Sequence, residues 1–245
     1  MGIWFLHSGK STLPRRGYLD PAITPTMAIL LAVSMLILSM AGATIGWMII
    51  PEDSMTRAAC ASALAIIFQT PIVLAYSNLR KRCGSRHIVA SIMVSFVVFV
   101  PMAFAVTSFL HFLFVTLGIE PQTTLGHETL KQLSTSNWGK SAWVVVLCAT
   151  LGAGIFEEVL YRGLILPTFS AVIGGKTVWG AIFATSIFFA VMHIGAVAPS
   201  ALGGLFILSI GLCYARVKSG GVLAPIVIHI LFNTMNIAIV YSTTL

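Results

Sequence analysis

Seven stretches of this chain run apolar for roughly 20 residues each, near 24–50, 57–77, 88–118, 142–170, 177–195, 200–215 and 221–243. A run of that length matches the ~30 Å hydrocarbon core of a bilayer when wound as an α-helix. The breaks between runs are polar or turn-forming: Pro51-Glu52-Asp53, Arg80–Arg86, the 119–140 segment, Gly174-Gly175-Lys176, Gly195–Ser200 and Arg216–Gly221. Only 9% of residues are charged against 58% hydrophobic, too few to clothe a water-facing surface. The expected fold is therefore all-α, a polytopic transmembrane bundle of about seven helices. Residues 1–23 read as a basic N-terminal tail and 24–245 as one membrane domain. The 88–118 run is long for one crossing; a tilt or a bend at Pro101 absorbs the excess, whereas two crossings would invert every later loop.

The cations orient this bundle. Lys10, Arg15, Arg16, Arg80, Lys81, Arg82, Arg86, Lys176, Arg216 and Lys218 fall on one side, and Arg57, Lys131 and Lys140 on the other. Ten against three places the N-terminus in the cytoplasm and, after seven crossings, the C-terminus outside. The net charge of +7 is thereby a topology signal with contacts to anionic lipid, and no nucleic-acid partner is expected. The apolar run Ile3–Leu6 precedes the first charges, the reverse of signal-peptide order, so no cleavable leader is expected. Cys60, Cys83, Cys148 and Cys213 show neither metal nor redox spacing and read as small packing residues.

Five of the seven acids lie in tails or loops; Glu157 and Glu158 alone interrupt an apolar run. An ionisable side chain at that depth costs several kcal/mol, roughly 2.5–3.5 on insertion scales, and marks function by default. Consecutive helical residues diverge by about 100°, so the two carboxylates serve different faces. Glu158 stands four residues before Arg162, the favourable order for an intrahelical ion pair, which leaves Glu157 for the bundle interior. His193 closes the fifth run, and His229 and Asn233 share one face of the last. Around a turn at Gly174-Gly175, Glu157 and His193 come level. His229 reaches that level if the hairpin of the fourth and fifth runs projects beyond the membrane, as Arg162 and Lys176 suggest. His111 has no polar partner nearby in sequence and reads as a core histidine. A purely structural charge cluster of Glu157, Glu158 and Arg162 is the simplest competing account, although one Glu–Arg pair would suffice for it.

At these residues the sequence resembles the CPBP family of CAAX prenyl proteases and bacteriocin-processing (Abi) enzymes. Glu157-Glu158-Val-Leu-Tyr-Arg162 matches its Glu-Glu-x-x-x-Arg motif, Phe189-Ala-Val-Met-His193 its Phe-x-x-x-His, and His229-Ile-Leu-Phe-Asn233 its His-x-x-x-Asn, in order across about 140–240. The resemblance implies seven or eight membrane helices and a glutamate-type intramembrane endopeptidase acting on a membrane-associated protein or peptide. By that resemblance Glu157 and His193 would activate water, His229 and Asn233 would hold the oxyanion, and Glu158, Arg162 and Phe189 would support them. No cofactor is expected. Three rivals stay open: a zinc peptidase using Glu157, His193 and His229 as a two-histidine, one-carboxylate set; a non-catalytic immunity or partner-binding protein; and a proton-coupled transporter. Compact size favours a bacterial plasma membrane.

Overall fold

The structure, a computed structural model, describes residues 23–50, 54–79, 87–120, 126–173 and 178–244. The basic N-terminal tail, Pro51–Asp53, the Arg80–Arg86 loop with Cys83, and Gly174–Lys176 lie outside the described residues. Eight helices are described: α1 Pro25–Ile49, α2 Ser54–Leu79, α3 Ile88–Thr116, α4 Glu128–Ser134, α5 Lys140–Ile173, α6 Trp179–Met192, α7 Pro199–Ser219 and α8 Leu223–Thr244. Six of them are long and apolar enough to cross a bilayer, and α1–α3 leave large residues such as Leu30, Met48 and Phe112 exposed to what must be lipid. The chain is an integral membrane protein.

The 88–118 run is one helix, with Pro101 inside α3. Small residues set the spacing of the bundle. A Cβ on Gly46 of α1 would sit 2.5 Å from Ala61 Cα of α2, and one on Gly204 of α7 would sit 2.8 Å from the Ala103 carbonyl of α3. In lipid, where burial gives no hydrophobic gain, such backbone-to-backbone approach is what holds helices together. Helix α7 is the most enclosed, with 67% of its spanning window buried.

Two expectations are corrected here, and the 119–140 break gains a helix. Helix α7 continues to Ser219, where Gly220 caps it in the left-handed region (φ 72°), so Arg216 and Lys218 belong to its last turn instead of a loop. Arg216 is 3% exposed and its Nε donates to the Arg162 carbonyl (3.2 Å), so packing fixes this charge. The 119–140 connector contains α4, whose Leu133 is fully buried against Ala59, Ala142 and Val240. Finally, the fifth run is a helix of only 14 residues, about 21 Å, which stops well short of a full crossing.

Where α6 stops, the chain continues as irregular backbone, His193–Ala198, before α7. Non-helical backbone at membrane depth persists only where protein covers it or a cavity lies beside it. Both hold here. The segment before α4 pairs with it, Glu128 N–H donating to the Ala196 carbonyl and Ala198 N–H to the Gly126 carbonyl, each at 3.0 Å. Glu120, six per cent exposed, accepts from the Ser200 N–H (2.6 Å) at the start of α7 and pairs with His111 Nδ1 at 2.9 Å. His111 thus has a partner, nine residues on, contrary to its reading as a lone core histidine. Burial pushes the Glu120 carboxyl up, but the hydrogen bonds from His111 and Ser200 outweigh it and hold it below the usual carboxylate range.

Candidate functional site

Helix α5 is not uniformly wound. Two wide π-turned segments, Cys148–Gly152 and Val159–Ile165, bracket the short α-helical piece Ala153–Glu158 that carries both glutamates. The second ends just before Pro167, which lacks the N–H an α-turn would need. π-winding breaks the i→i−4 ladder and swings the side chains round the axis, and such bulges recur at functional sites. It also exposes carbonyls. Asn233 on α8 answers one of them, its Nδ2 donating to the Ala149 carbonyl at 2.8 Å.

The glutamates part company as their angular spacing requires. Glu158 is wholly buried, and its Oε1 accepts from Arg162 Nη1 (2.8 Å) and His229 Nδ1 (2.7 Å). Arg162 is equally buried and spends Nη2 on Ser209 Oγ of α7 (2.8 Å). A charge pair this deep is tolerable only with such additional donors and acceptors. The pairing of Glu158 with Arg162 agrees with their spacing. Arg162, however, does not mark a projecting, solvated hairpin; it sits in the core, and His229 reaches the level of the glutamates by bonding to Glu158.

Glu157 faces the other way, 30% exposed, with His193 Nε2 3.8 Å from its Oε2. His193 donates from Nδ1 to the Phe189 carbonyl (2.8 Å), one turn back on α6. That bond fixes the tautomer: in the neutral ring Nε2 is left as a lone pair. Glu157 Oε2 and His193 Nε2 are then two acceptors side by side, and Oε2 has no protein partner. Phe189 is the common wall. It is 1% exposed, its ring lies 4.5 Å from the His193 ring and 4.8 Å from the Arg162 guanidinium, and it meets Tyr161 edge-on at 4.9 Å.

Glu157, His193, His229 and Asn233 all line one cavity of about 690 Å³, within the range of ligand sites and walled largely by apolar side chains such as Ile66, Phe104, Phe156 and Leu205. The structure therefore gathers all four expected residues at one space. Among the described residues no three His, Cys, Asp or Glu side chains are grouped to hold a metal ion.

Residues 139–235 match the model of the family described as Rce1-like, type II CAAX prenyl endopeptidase. This part of the chain is an Rce1-like domain. It holds the two glutamates, His193, His229 and Asn233, and makes the chain a membrane protease. No match was found among curated proteins or solved structures.

Three participants at the Rce1-like site lie outside the sequence motifs. Ser209 and the Ala149 carbonyl anchor Arg162 and Asn233, and His127 adds a third imidazole to the cavity. Ser209 and Ala149 carry no signal in the sequence. His127 stands one residue before Glu128-x-x-Lys131, a faint helix start, but nothing in its spacing links it to Glu157.

Proposed function

We propose that the chain is an intramembrane endopeptidase that cleaves a peptide bond of a membrane-associated protein or peptide by water attack. One observation carries this reading: Glu157 Oε2 and His193 Nε2 lie 3.8 Å apart on the wall of a 690 Å³ cavity. A water between them gives one O–H to each and turns a lone pair outward. As it attacks the carbonyl carbon, Glu157 takes its proton and later returns it to the departing amine, and the C–N bond breaks. Bringing the water and carbonyl together in a closed site is worth several orders of magnitude in rate.

The oxyanion needs donors. Asn233 has one N–H left after its bond to Ala149, and His229 presents one from Nε2 when its ring carries both protons, since Nδ1–H is committed to Glu158. Glu158, Arg162 and Ser209 lock His229 to α5 and α7. The apolar walls suit a lipid-bearing or hydrophobic peptide, in keeping with the CAAX prenyl endopeptidases of the matched family. This reading routes no step through a metal, so exhaustive chelation should leave cleavage unchanged, and loss of cleavage restored by zinc would favour a zinc peptidase instead.

The direct test compares new peptide termini in membranes and medium from cells making the wild type or Glu157→Gln at matched levels. Products seen only with the wild type support the peptidase and name its substrate. Identical termini with the biological effect intact would overturn the reading in favour of a non-catalytic partner-binding role.

A further inference from the structure

Resting on the peptidase reading, we propose that His127 is a substrate-contacting residue whose Nε2–H donates a hydrogen bond to a peptide oxygen held beside Glu157 and His193. The argument begins with the proton's position. His127 caps α4, its Nδ1 accepting from the Thr129 N–H at 3.1 Å. A backbone N–H can only donate, so Nδ1 is a lone pair and the neutral ring carries its hydrogen on Nε2. The other two imidazoles of the cavity are arranged in the opposite sense. His193 donates from Nδ1 to the Phe189 carbonyl, and His229 from Nδ1 to Glu158. In their neutral forms both present an acceptor. His127 therefore presents the donor that the neutral forms of these two lack.

Its placement is built. The 126–128 backbone is stitched to the loop following His193 by the bonds Glu128 N–H to Ala196 and Ala198 N–H to Gly126. The ring lines the same cavity as Glu157, His193, His229 and Asn233. Its surroundings also keep it uncharged: burial, then the neighbouring His193, push its pKa below the ordinary histidine value, more than Glu157 and Glu128 raise it. A ring whose Nδ1 is occupied by the Thr129 amide is a poor proton shuttle. It is a good fixed donor, and a peptide with its carbonyl oxygens is the ligand that a fixed neutral donor beside two acceptors suits.

The test separates capping from contact, because Asn is a strong N-cap and lacks the imidazole. In nanodiscs, binding of a fluorescent farnesylated CAAX peptide is measured on Glu157→Gln protein, which binds without turnover, alone and combined with His127→Asn or His127→Ala. Both substitutions at 127 should weaken binding about tenfold, with Thr129 amide exchange unchanged in His127→Asn. Ring ¹⁵N shifts of His127 should show hydrogen on Nε2 at neutral pH. A Kd that His127→Asn leaves unchanged, at whatever affinity, overturns the proposal, as does a ring protonated on Nδ1. Failure of the peptidase reading has a separate signature: no wild-type cleavage above Glu157→Gln, with the ring tautomer still deciding the state of His127.

Discussion

One helical step separates Glu157 from Glu158, and about 100° of rotation gives them different work. Glu157 holds no structural partner except a distant imidazole, so its replacement by Gln should spare the fold and cut hydrolysis by about 10²-fold or more. Glu158→Gln should instead weaken the fold itself. It leaves Arg162 and His229 only a neutral amide oxygen in place of the carboxylate, and an uncompensated buried charge costs about 3–5 kcal/mol. Thermal unfolding in detergent should show a large drop in Tm for Glu158→Gln and little for Glu157→Gln; equal drops would show that the division of labour is wrong. The Glu158–Arg162 pair was legible in sequence because four residues is one turn. The bond from His229 to Glu158 was not, since it joins residues 71 positions apart and helical periodicity says which face a residue occupies, never which helix it meets.

At the scale of elements, the 119–140 segment, which shows in sequence only as a polar break, supplies part of the cavity wall through Gly126, His127, Thr129 and Leu130. Its short helix α4 has too few residues for a clear periodic signal, and its anchors are backbone bonds that leave no mark in composition. Those anchors carry a pH dependence. Glu120 is held below its ordinary range when folded, so it contributes stability above its unfolded pKa and loses it as pH falls through the folded value. The depressed His127 has the same sign: its contribution is full above the ordinary histidine value and fades as acid charges the ring. Protection of the Ser200 and Thr129 amides against exchange should therefore fall on acidification, and Glu120→Gln should lower Ser200 protection several-fold already at neutral pH. Protection that rises in acid would reverse the assigned signs. The packing of α7 on α3 makes a second demand. Gly204→Val places a side chain against the Ala103 carbonyl and Thr107, and overpacking of this kind costs about 1–3 kcal/mol. Loss of Tm in that variant, with Gly139→Ala as an unobstructed control, checks it.

For the whole molecule, the pairing of helices bears on topology. Helices α1 and α2 run antiparallel, Gly42 beside Leu64 and Gly46 beside Ala61. Helices α5 and α8 do likewise, Glu158 meeting His229 while Trp138, just before α5, packs on Tyr241 and donates to Thr244 at the end of α8. That group, with Trp143, forms an aromatic patch of the sort that sits at a membrane interface. If α6, short as it is, together with the 193–198 backbone serves as the return leg, the expected number of crossings is odd, which puts the two ends on opposite faces. The charge asymmetry then decides which face is which. Most of its weight lies in Lys10–Arg16 and Arg80–Arg86, since Arg216 is committed to packing; removing Arg216 from the count leaves nine against three. The N-terminus should be cytoplasmic and the aromatic patch external. Alkaline phosphatase fused after Leu245 in a bacterial host should be active and green fluorescent protein there dark, with the reverse at the N-terminus. The opposite pattern would invert the bundle, and activity of the same reporter at both ends would mean that α6 is not a crossing.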